Sequence, residues 1–183
     1  MDSGQLNTDQ IIAGCIKGDR KAQELLYRNY YKAMMNICLR YTGNDDSAME
    51  VLNTGLLKVF RNIDRYNSAQ GSLYTWIRTI VVNSCLDHIR SQQKQVPARQ
   101  LQDWDERSIE PDAYERMKEG ALLQLIRHLP PATQAVFNLY AVEGYAHKEI
   151  GNLLGISEGT SKWHYSEAKK QLKGLIEAQL KNS

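Results

Sequence analysis

Apolar residues recur at spacings of three and four along most of the chain, and this period predicts helices rather than strands. In the first half the pattern divides into four helices, each bounded by residues that cap or break helices. The predicted helices run from Thr8 or Asp9 to Gly18, from Arg20 to about Thr42 with Gly43 as the stop, from Asn44 or Asp45 to Ile63, and from Ser72 to about Gln92. Four such helices can bury a common core, so residues 1–92 are predicted to form one small domain.

The helical period is lost over residues 93–113, which are predicted to form an extended linker. Prolines, glutamines and acidic residues surround Trp104 in this stretch. The prolines and acids are Pro97, Asp103, Asp105, Glu106 and Pro111. The linker is therefore predicted to be acidic.

The helical period returns over residues 114–183, which are predicted to form a second small domain. Pro131 suits the first position of a helix, because its fixed backbone angle is helical and its missing N–H is not needed there. Gly144 suits the end of the same helix. The predicted core-facing stripe of this helix is Val136, Phe137 and Tyr140.

Two helices around a glycine turn are predicted between Tyr145 and Leu172. Gly155 suits the turn, and Ser157 suits the N-cap of the second helix because its hydroxyl can accept a hydrogen bond from a free backbone N–H. The second helix is predicted to face inward at Ser161, Tyr165, Ala168 and Leu172. Its outer face is then mostly polar or cationic: Thr160, Lys162, Trp163, His164, Ser166, Glu167, Lys169 and Lys170. This arrangement is typical of a helix-turn-helix, whose second helix enters a DNA major groove.

The composition is that of a globular protein with little excess charge. Hydrophobic residues make up 42% of the 183 residues, and 23 basic against 21 acidic residues give a net charge of only +2. A protein that binds nucleic acid by charge alone is usually more basic. DNA binding is therefore expected to depend on local patches, or on a partner that supplies part of the affinity.

Membrane insertion, metal binding and cofactor binding are not expected. No apolar run approaches the ~18 residues of a membrane span, and the first ten residues lack the features of a signal peptide, so a cytoplasmic protein is predicted. Cys15, Cys38 and Cys85 are predicted to be buried free thiols, because neither their spacing nor the four histidines suit a zinc site.

The order of these features resembles the extracytoplasmic-function (ECF) sigma factors, the smallest class of bacterial RNA polymerase sigma subunits. The resemblance rests on GDRKAQELLYRNYY, MEVLNTGLLKVFRNIDRY and GSLYTWIRTIVVNSCLDHIR in the first domain and on HLPPATQAVFNLYAVEGYAHKEIGNLLGISEGTSKW in the second. It implies an all-α fold of two small helical domains, sigma region 2 and sigma region 4, joined by an extended linker that passes through the polymerase cleft. It also implies that the chain binds core RNA polymerase and directs initiation through the −10 and −35 promoter elements.

By this resemblance, the third predicted helix holds the clamp helices of the polymerase β′ subunit. Its predicted core stripe is Met49, Leu52, Leu56, Val59 and Ile63, and the residues off the stripe are the candidates for polymerase contact: Asn53, Leu57, Lys58 and Arg61. Leu57 is the most informative, because an apolar residue outside the core stripe suits a partner surface. The resemblance also implies contact with the β flap and control by an anti-sigma factor.

The loop from Tyr66 to Gly71 and the helix after it match the part of the family that captures the single-stranded −10 element. Amides and hydroxyls suit base edges and arginines suit phosphates. The candidates are Tyr66, Asn67, Ser68, Gln70, Arg78, Asn83 and Arg90. Asp87 is expected to pair with Arg90, and Trp76 is expected to lie in the core rather than between bases.

The outer face of the second helix of the helix-turn-helix matches the reader of the duplex −35 element. The candidates are Thr160, Lys162, Trp163, His164, Ser166, Glu167 and Lys170. Trp163 either contacts DNA or packs against a neighbouring helix, and Glu167 either accepts from a cytosine amine or pairs with Lys162 or Lys170. Many family members carry arginines where this chain has His164 and Glu167, so the bases that are read do not follow from the resemblance.

Two other classes of function fit the sequence less well. A stand-alone dimeric helix-turn-helix regulator explains the segment from Tyr145 to Leu172 equally well, but it does not explain the off-stripe Leu57. An enzyme is not predicted, because Asp87 and His88 are adjacent and point apart on a helix, and no glycine-rich phosphate loop precedes a helix.

Overall fold

The computed structural model of this chain describes residues 7–95 and 123–181, and the regular structure over these two ranges is helical. The chain divides into two units, and the division falls between Cys85 and Leu86. Most of the predicted linker, with Trp104, lies outside the described residues. The predicted domain limits at residues 92 and 113 therefore stay predictions.

The first unit is built from helices α1 (Thr8–Ile16), α2 (Arg20–Tyr41), α3 (Asp45–Asn62) and the first part of α4 (Leu73–Gln95). Two single 3₁₀ turns, Ile63–Arg65 and Ser68–Gln70, connect α3 to α4. The four predicted helices are confirmed, with ends within about three residues of the expected ones.

Polar side chains cap all four of these helices at their N-termini. Asn7 and Gln10 form a reciprocal capping box on α1, and the carboxylate of Asp19 accepts from the backbone N–H of Lys21 at the start of α2. Asn44 caps α3, and the Ser72 hydroxyl accepts from the backbone N–H of Thr75 in α4 at 3.2 Å. Each cap satisfies a backbone donor that the helix itself cannot satisfy.

Helix α2 ends close to the predicted residue, but a different residue ends it. Gly43 was expected to stop the helix, but the chain already leaves the helix at Thr42, which is extended with φ −117° and ψ 154°. The buried Thr42 hydroxyl donates to the carbonyl of Cys38 at 3.0 Å. The same carbonyl also accepts from the backbone N–H of Thr42. Gly43 is not among the glycines of positive φ, so α2 does not end in a left-handed glycine.

The core of the first unit lies where the apolar stripes of α2, α3 and α4 meet. The largest fully buried side chains there are Leu26, Met34, Leu52, Leu56, Val59, Ile77, Val81 and Val82. Cys15, Cys38 and Cys85 are buried free thiols, as predicted. Gly55 lets α3 approach α4 closely, because a Cβ at this position would lie 3.1 Å from Cγ2 of Val81.

The second unit contains the rest of α4 from Leu86 onward, a helical segment over residues 123–127, α5 (Pro131–Phe137), α6 (His147–Leu154) and α7 (Glu158–Lys181). Pro131 opens α5 and Gly144 takes a positive φ of 81°, as predicted. One buried cluster joins the 123–127 segment to α7: Leu125, Ile126, Leu129, Ala168 and Leu172.

A π turn over Asn138–Val142 continues α5 and corrects the predicted stripe of this helix. The backbone N–H of Glu143 donates to the carbonyl of Asn138 at 2.9 Å. The wider turn shifts every later side chain around the axis. As a result Leu139 is fully buried, whereas Tyr140, predicted to face the core, is exposed.

The turn between α6 and α7 has the predicted glycine and serine. Gly155 is left-handed, with φ 69°, and its N–H donates to the carbonyl of Gly151. The Ser157 hydroxyl accepts from the backbone N–H of Thr160 at 3.0 Å. Gly151 is also required by space, because a Cβ there would lie 2.8 Å from the carbonyl oxygen of Ile156.

We expect Gly151→Ala to destabilise the second unit by about 1–3 kcal/mol, the usual cost of inserting an atom into a packed site. Gly174→Ala is the matched control, since a Cβ on this helical glycine meets nothing within 4 Å. The control should gain about 0.5–1 kcal/mol from its better helix propensity. Urea unfolding measures both changes, and equal effects of the two substitutions would contradict the close approach at Gly151.

Candidate nucleic-acid interface

The loop from Tyr66 to Gly71 is held by its own hydrogen bonds. The Tyr66 hydroxyl donates to the carbonyl of Gly71 at 3.1 Å, and the Asn67 side-chain oxygen accepts from the backbone N–H of Ala69 at 3.0 Å. Asn67, Ser68 and Gln70 are exposed. The loop therefore has a fixed shape, and the Asn67 amide nitrogen, with the Ser68 and Gln70 side chains, faces solvent around it.

The loop is attached to α4 through an aromatic contact. The ring of Tyr66 lies 5.7 Å from that of Trp76, tilted by 59°. Trp76 is half-buried, so the expectation that it lies in the core is only partly met. One part of the indole is fixed by packing and another part is accessible.

Three more predicted −10 residues lie along α4. Asn83 and Arg90 are exposed, and Arg78 is half-buried. Arg90 pairs with Asp87 at 2.9 Å, as predicted. Both partners of this pair are close to half exposed, so the pair adds little stability. The Arg90 guanidinium also donates to the backbone carbonyl of Leu153.

A recess of about 310 Å³ lies between the end of α3 and the middle of α4. Its lining consists of one aromatic residue, one aliphatic residue, two asparagines and two cations: Trp76, Ile80, Asn62, Asn83, Lys58 and Arg65. The Asn62 amide nitrogen donates to the carbonyl of Lys58 at 2.8 Å, which fixes the position of this side chain.

Of this lining, the sequence assigns only Asn83 to DNA. Asn62 and Arg65 join Lys58 in the recess because positions 58, 62 and 65 follow one another by four and three residues and so share one side of the chain at the end of α3.

The four candidates for polymerase contact separate into two groups. Asn53, Leu57 and Arg61 are exposed on α3, and the Leu57 side chain is 48% exposed. Lys58 is half-buried and lines the recess. The structure thus brings Lys58 together with Asn83 and not with the outer surface around Leu57.

The predicted −35 residues lie on α7, and those in its first turn form local pairs. The Thr160 hydroxyl lies 2.8 Å from that of Ser157. Lys162 pairs with Glu158 at 2.6 Å, and this hydrogen bond, followed by the lysine's charge, lowers the pKa of Glu158. The pair is exposed and leaves both residues accessible to DNA.

Trp163 is 60% exposed. Its ring meets that of His164 edge-on, with the centroids 4.8 Å apart. His164 was predicted to point outward, and this is wrong in part. It is half-buried, and its Nδ1 lies 3.0 Å from the hydroxyl of Thr133 in α5. Burial lowers the pKa of His164 below its usual 6.5.

The polar residues that follow on α7 have their own arrangement. Ser166 and Lys170 are exposed as predicted. Glu167 is half-buried and accepts a hydrogen bond from Gln171 at 2.8 Å, so neither suggested pairing, with Lys162 or with Lys170, is observed. The Lys169 ammonium lies 4.8 Å from the centroid of the Tyr165 ring.

A stack of aromatic rings supports α7. The ring of His147 in α6 lies parallel to that of Tyr140 at 4.2 Å, and Tyr140 also meets Tyr165 at 4.5 Å. The Nδ1 of His147 lies 3.0 Å from the buried hydroxyl of Ser161. These contacts join the π turn, α6 and α7, and they fix the rotation of α7 about its axis.

The described ranges contain neither a metal site nor a membrane span. Over residues 7–95 and 123–181, no group of histidines, cysteines and carboxylates could hold a metal ion. None of the helices described is long and apolar enough to cross a membrane.

Comparison with known families finds two matches that together cover most of the chain. Residues 26–95 match sigma-70 region 2, and residues 119–172 match sigma-70 region 4. These ranges contain every candidate residue named above.

Known proteins of similar sequence agree with these two family matches. The ECF RNA polymerase sigma factor SigM of Mycobacterium tuberculosis is 26% identical over 91% of this chain and 83% of its own. The ECF RNA polymerase sigma-E factor of Haemophilus influenzae is 22% identical over 94% of this chain and 97% of its own.

Solved structures share the fold. The sigma factor RpoE of Bartonella quintana, in complex with the anti-sigma factor NepR, has a TM-score of 0.54 at 18% identity, over 84% of this chain and 96% of that one. CnrH, in complex with the cytosolic domain of CnrY, has a TM-score of 0.50 at 15% identity, over 92% of this chain and 96% of that one.

We expect the link between α5 and α7 to weaken in acid. Since the pKa of His164 is lowered in the folded state, its contribution to stability is present above about pH 6.5 and is lost as the pH falls through the folded-state pKa. Urea unfolding between about pH 7.5 and pH 5.5 should therefore show a smaller acid loss for His164→Asn than for the unmodified chain. The control is His128→Asn, at an exposed histidine. An unchanged acid loss in His164→Asn would contradict this assignment.

Proposed function

The chain belongs to the ECF sigma factors, which direct promoter-specific initiation by core RNA polymerase, and on that basis we propose which surface performs each step. The first unit, with the end of α4 that carries Arg90, binds the polymerase and holds the opened −10 strand. The helix-turn-helix of the second unit reads the duplex −35 element. This division of roles is supported by two polar surfaces of different structure, one in each unit. A hydrogen-bonded loop above a recess lies in the first unit, and a helix-turn-helix lies in the second.

The polymerase surface is the exposed side of α3, formed by Asn53, Leu57 and Arg61. Leu57 supports this assignment because a large apolar side chain that is 48% exposed on a regular helix has no role in the core. We assign these residues to the clamp helices of the β′ subunit. The β flap is assigned to the second unit, and that assignment follows from the family alone.

The −10 surface begins at the loop from Tyr66 to Gly71. Its internal hydrogen bonds fix its shape before DNA arrives, so little conformational entropy is lost on binding. Asn67, Ser68 and Gln70 supply polar groups for a base edge, and Arg78 and Arg90 supply cations for the backbone. Asn83 on α4 extends this surface beyond the loop.

The −35 surface is the outer face of α7. Thr160, Lys162, Ser166 and Lys170 are placed for phosphates or base edges in the major groove. Trp163 lies in the middle of this face and supplies apolar contact area. His164 and Glu167 act mainly by positioning, because their hydrogen bonds run to Thr133 and Gln171.

Regulation by an anti-sigma factor is also proposed. Two similar folds, RpoE and CnrH, were solved in complex with NepR and the cytosolic domain of CnrY. A partner of this kind would keep the polymerase and promoter surfaces of this chain from acting. We further propose that the chain works in the cytoplasm and has no catalytic activity of its own, because the polymerase performs the chemistry.

The stand-alone dimeric regulator is not favoured. Such a protein needs only the second unit to read DNA, whereas sigma-70 region 2 is matched over residues 26–95 of this chain. The loop and Leu57 also have no role in that alternative.

Run-off transcription from a promoter library tests the proposal. Core polymerase with this chain should initiate selectively, and the selected promoters should share two elements. Scrambling residues 66–71 should remove initiation while polymerase binding persists. If the scrambled chain supports the same selective initiation, the loop does not capture the −10 strand.

Leu57→Ser should weaken binding to core polymerase by roughly tenfold, equivalent to about 1.4 kcal/mol, as expected for a central apolar contact. The matched control is Ile16→Ser, because Ile16 is a 54% exposed apolar residue outside the proposed surface. Fluorescence anisotropy of a labelled chain measures both affinities. Equal weakening by the two substitutions would show that Leu57 has no special role.

Trp163→Ala should reduce initiation from promoters that need a −35 element by roughly five- to hundredfold, the range for losing one good base contact. Promoters that carry only a strong −10 element should be little affected. Ile176→Ala, at another exposed apolar residue of α7, serves as the control. A uniform loss across both promoter kinds would place Trp163 outside the −35 interface.

A further inference from the structure

Helix α1 lies outside residues 26–95, the range that matches sigma-70 region 2. It has only nine residues, and a helix of this length is marginal in water on its own. Its order therefore depends on its contacts with the rest of the first unit. It packs against α2 and against the 3₁₀ turn Ile63–Arg65.

The contact with α2 is unusually close. A Cβ at Gly14 would lie 2.5 Å from the Cβ of Ala22, well below the ~3.5–4.0 Å at which carbon atoms pack. The backbone N–H of Asp19 donates to the carbonyl of Gly14 at 2.9 Å. Gly18, at the connection between the two helices, takes a left-handed φ of 74°. These features hold α1 in one position against α2.

The 3₁₀ turn that α1 packs against leads directly into the loop from Tyr66 to Gly71. Ile63 is the buried residue of this turn, and its carbonyl accepts from the backbone N–H of Tyr66 at 3.2 Å. Tyr66 then closes the loop through the bond from its hydroxyl to the carbonyl of Gly71, and its ring contacts Trp76. The position of the turn therefore determines where the loop lies.

Helix α1 lies at the edge of the core of the first unit. Among the described residues, the largest fully buried side chains of this unit belong to α2, α3 and α4, and none belongs to α1. Ile11 and Cys15, the buried residues of α1, keep 6% and 5% of their surface exposed. Helix α1 thus adds little to the centre of the core, and what it supports besides α2 is the turn before the loop.

We propose that α1 positions the loop for the opened strand, with Gly14 as the positioning residue that sets the place of α1. The inference rests on the proposed function, since it requires the loop to be the element that holds the strand. The hydrogen bonds within the loop fix its shape, and α1 fixes where that shape lies relative to the polar residues of α4. Groups that bind one ligand together must be held within about 0.5 Å of the productive geometry.

The test moves α1 with one substitution and restores its position with a second. Gly14→Ala places a Cβ against Ala22 and pushes α1 away from α2, and Ala22→Gly removes the atom that this Cβ meets. The double variant therefore regains the space. Gly43→Ala is the matched control in the same unit, because a Cβ there meets nothing within 4 Å.

Each chain is assembled with core polymerase and titrated with fork-junction DNA that is opened at the −10 region and with fully paired DNA. The affinity of each chain for core polymerase is measured separately, under conditions in which urea unfolding shows every variant to be folded. Amide hydrogen exchange at Tyr66 reports directly on the turn, because this N–H donates to the carbonyl of Ile63.

We expect Gly14→Ala to weaken binding of opened DNA by roughly three- to thirtyfold, the range for residues that act on a site through others. Exchange at Tyr66 should become faster, and the affinity for core polymerase should change by less than about twofold, since the two sites are distinct. The double variant should recover the DNA affinity, and Gly43→Ala should change neither affinity.

A second variant, Asn7→Ala, loosens α1 without adding an atom to the core. It removes the capping box in which the Asn7 side chain accepts from the backbone N–H of Gln10 at 2.8 Å. It should weaken binding of opened DNA in the same selective way, whereas Asn29→Ala, at an exposed asparagine of α2, should not.

Two results would overturn the proposal. Unchanged affinity for opened DNA in both Gly14→Ala and Asn7→Ala would show that the loop does not need α1. Equal weakening of DNA binding and core binding would show that α1 only supports the fold. The proposed function fails separately, if the unmodified holoenzyme shows no preference for opened DNA that depends on residues 66–71.

Discussion

The close packing of α3 on α4 is the constraint on which the first unit depends. Gly55 lets the two helices approach until a Cβ would touch Val81 at 3.1 Å, and Leu52, Leu56 and Ile77 fill the space around this contact. The same packing sets the distance that the connection from Ile63 to Ser72 must span. The loop, the recess and the exposed side of α3 are thus three consequences of one helix pair.

In the second unit, contacts from α5, the π turn and α6 fix the rotation of the long helix α7 about its axis. The π turn after α5 exposes Tyr140, and this ring stacks on His147, which in turn contacts Ser161 in α7. His164 adds a bond from α7 to Thr133 in α5. His164, which the sequence places among the DNA contacts, is therefore partly structural.

Much of the fold could be predicted because local signals agreed with the apolar period. The caps at Asn44, Ser72 and Ser157 and the turn at Gly155 lie where the sequence places them. The prediction failed where a contact between residues distant in sequence determines which side chains are buried. The π turn moves Tyr140 out of the core, and the bond to Thr133 draws His164 inward. The recess was missed for the same reason, since its walls come from two helices and only their packing brings Asn62 and Asn83 together. The net charge of +2 also gives no hint of two cations at one recess.

The central claim is that this chain acts as a sigma subunit that holds an opened strand, and the most direct measurement compares two DNAs. One carries a pre-opened −10 region and the other is fully paired, and each is titrated with the chain alone and with the chain bound to core polymerase. The account predicts tight, loop-dependent preference for the opened DNA only when core polymerase is present. Equal affinity of the free chain for both DNAs, with no association with the polymerase, would contradict it.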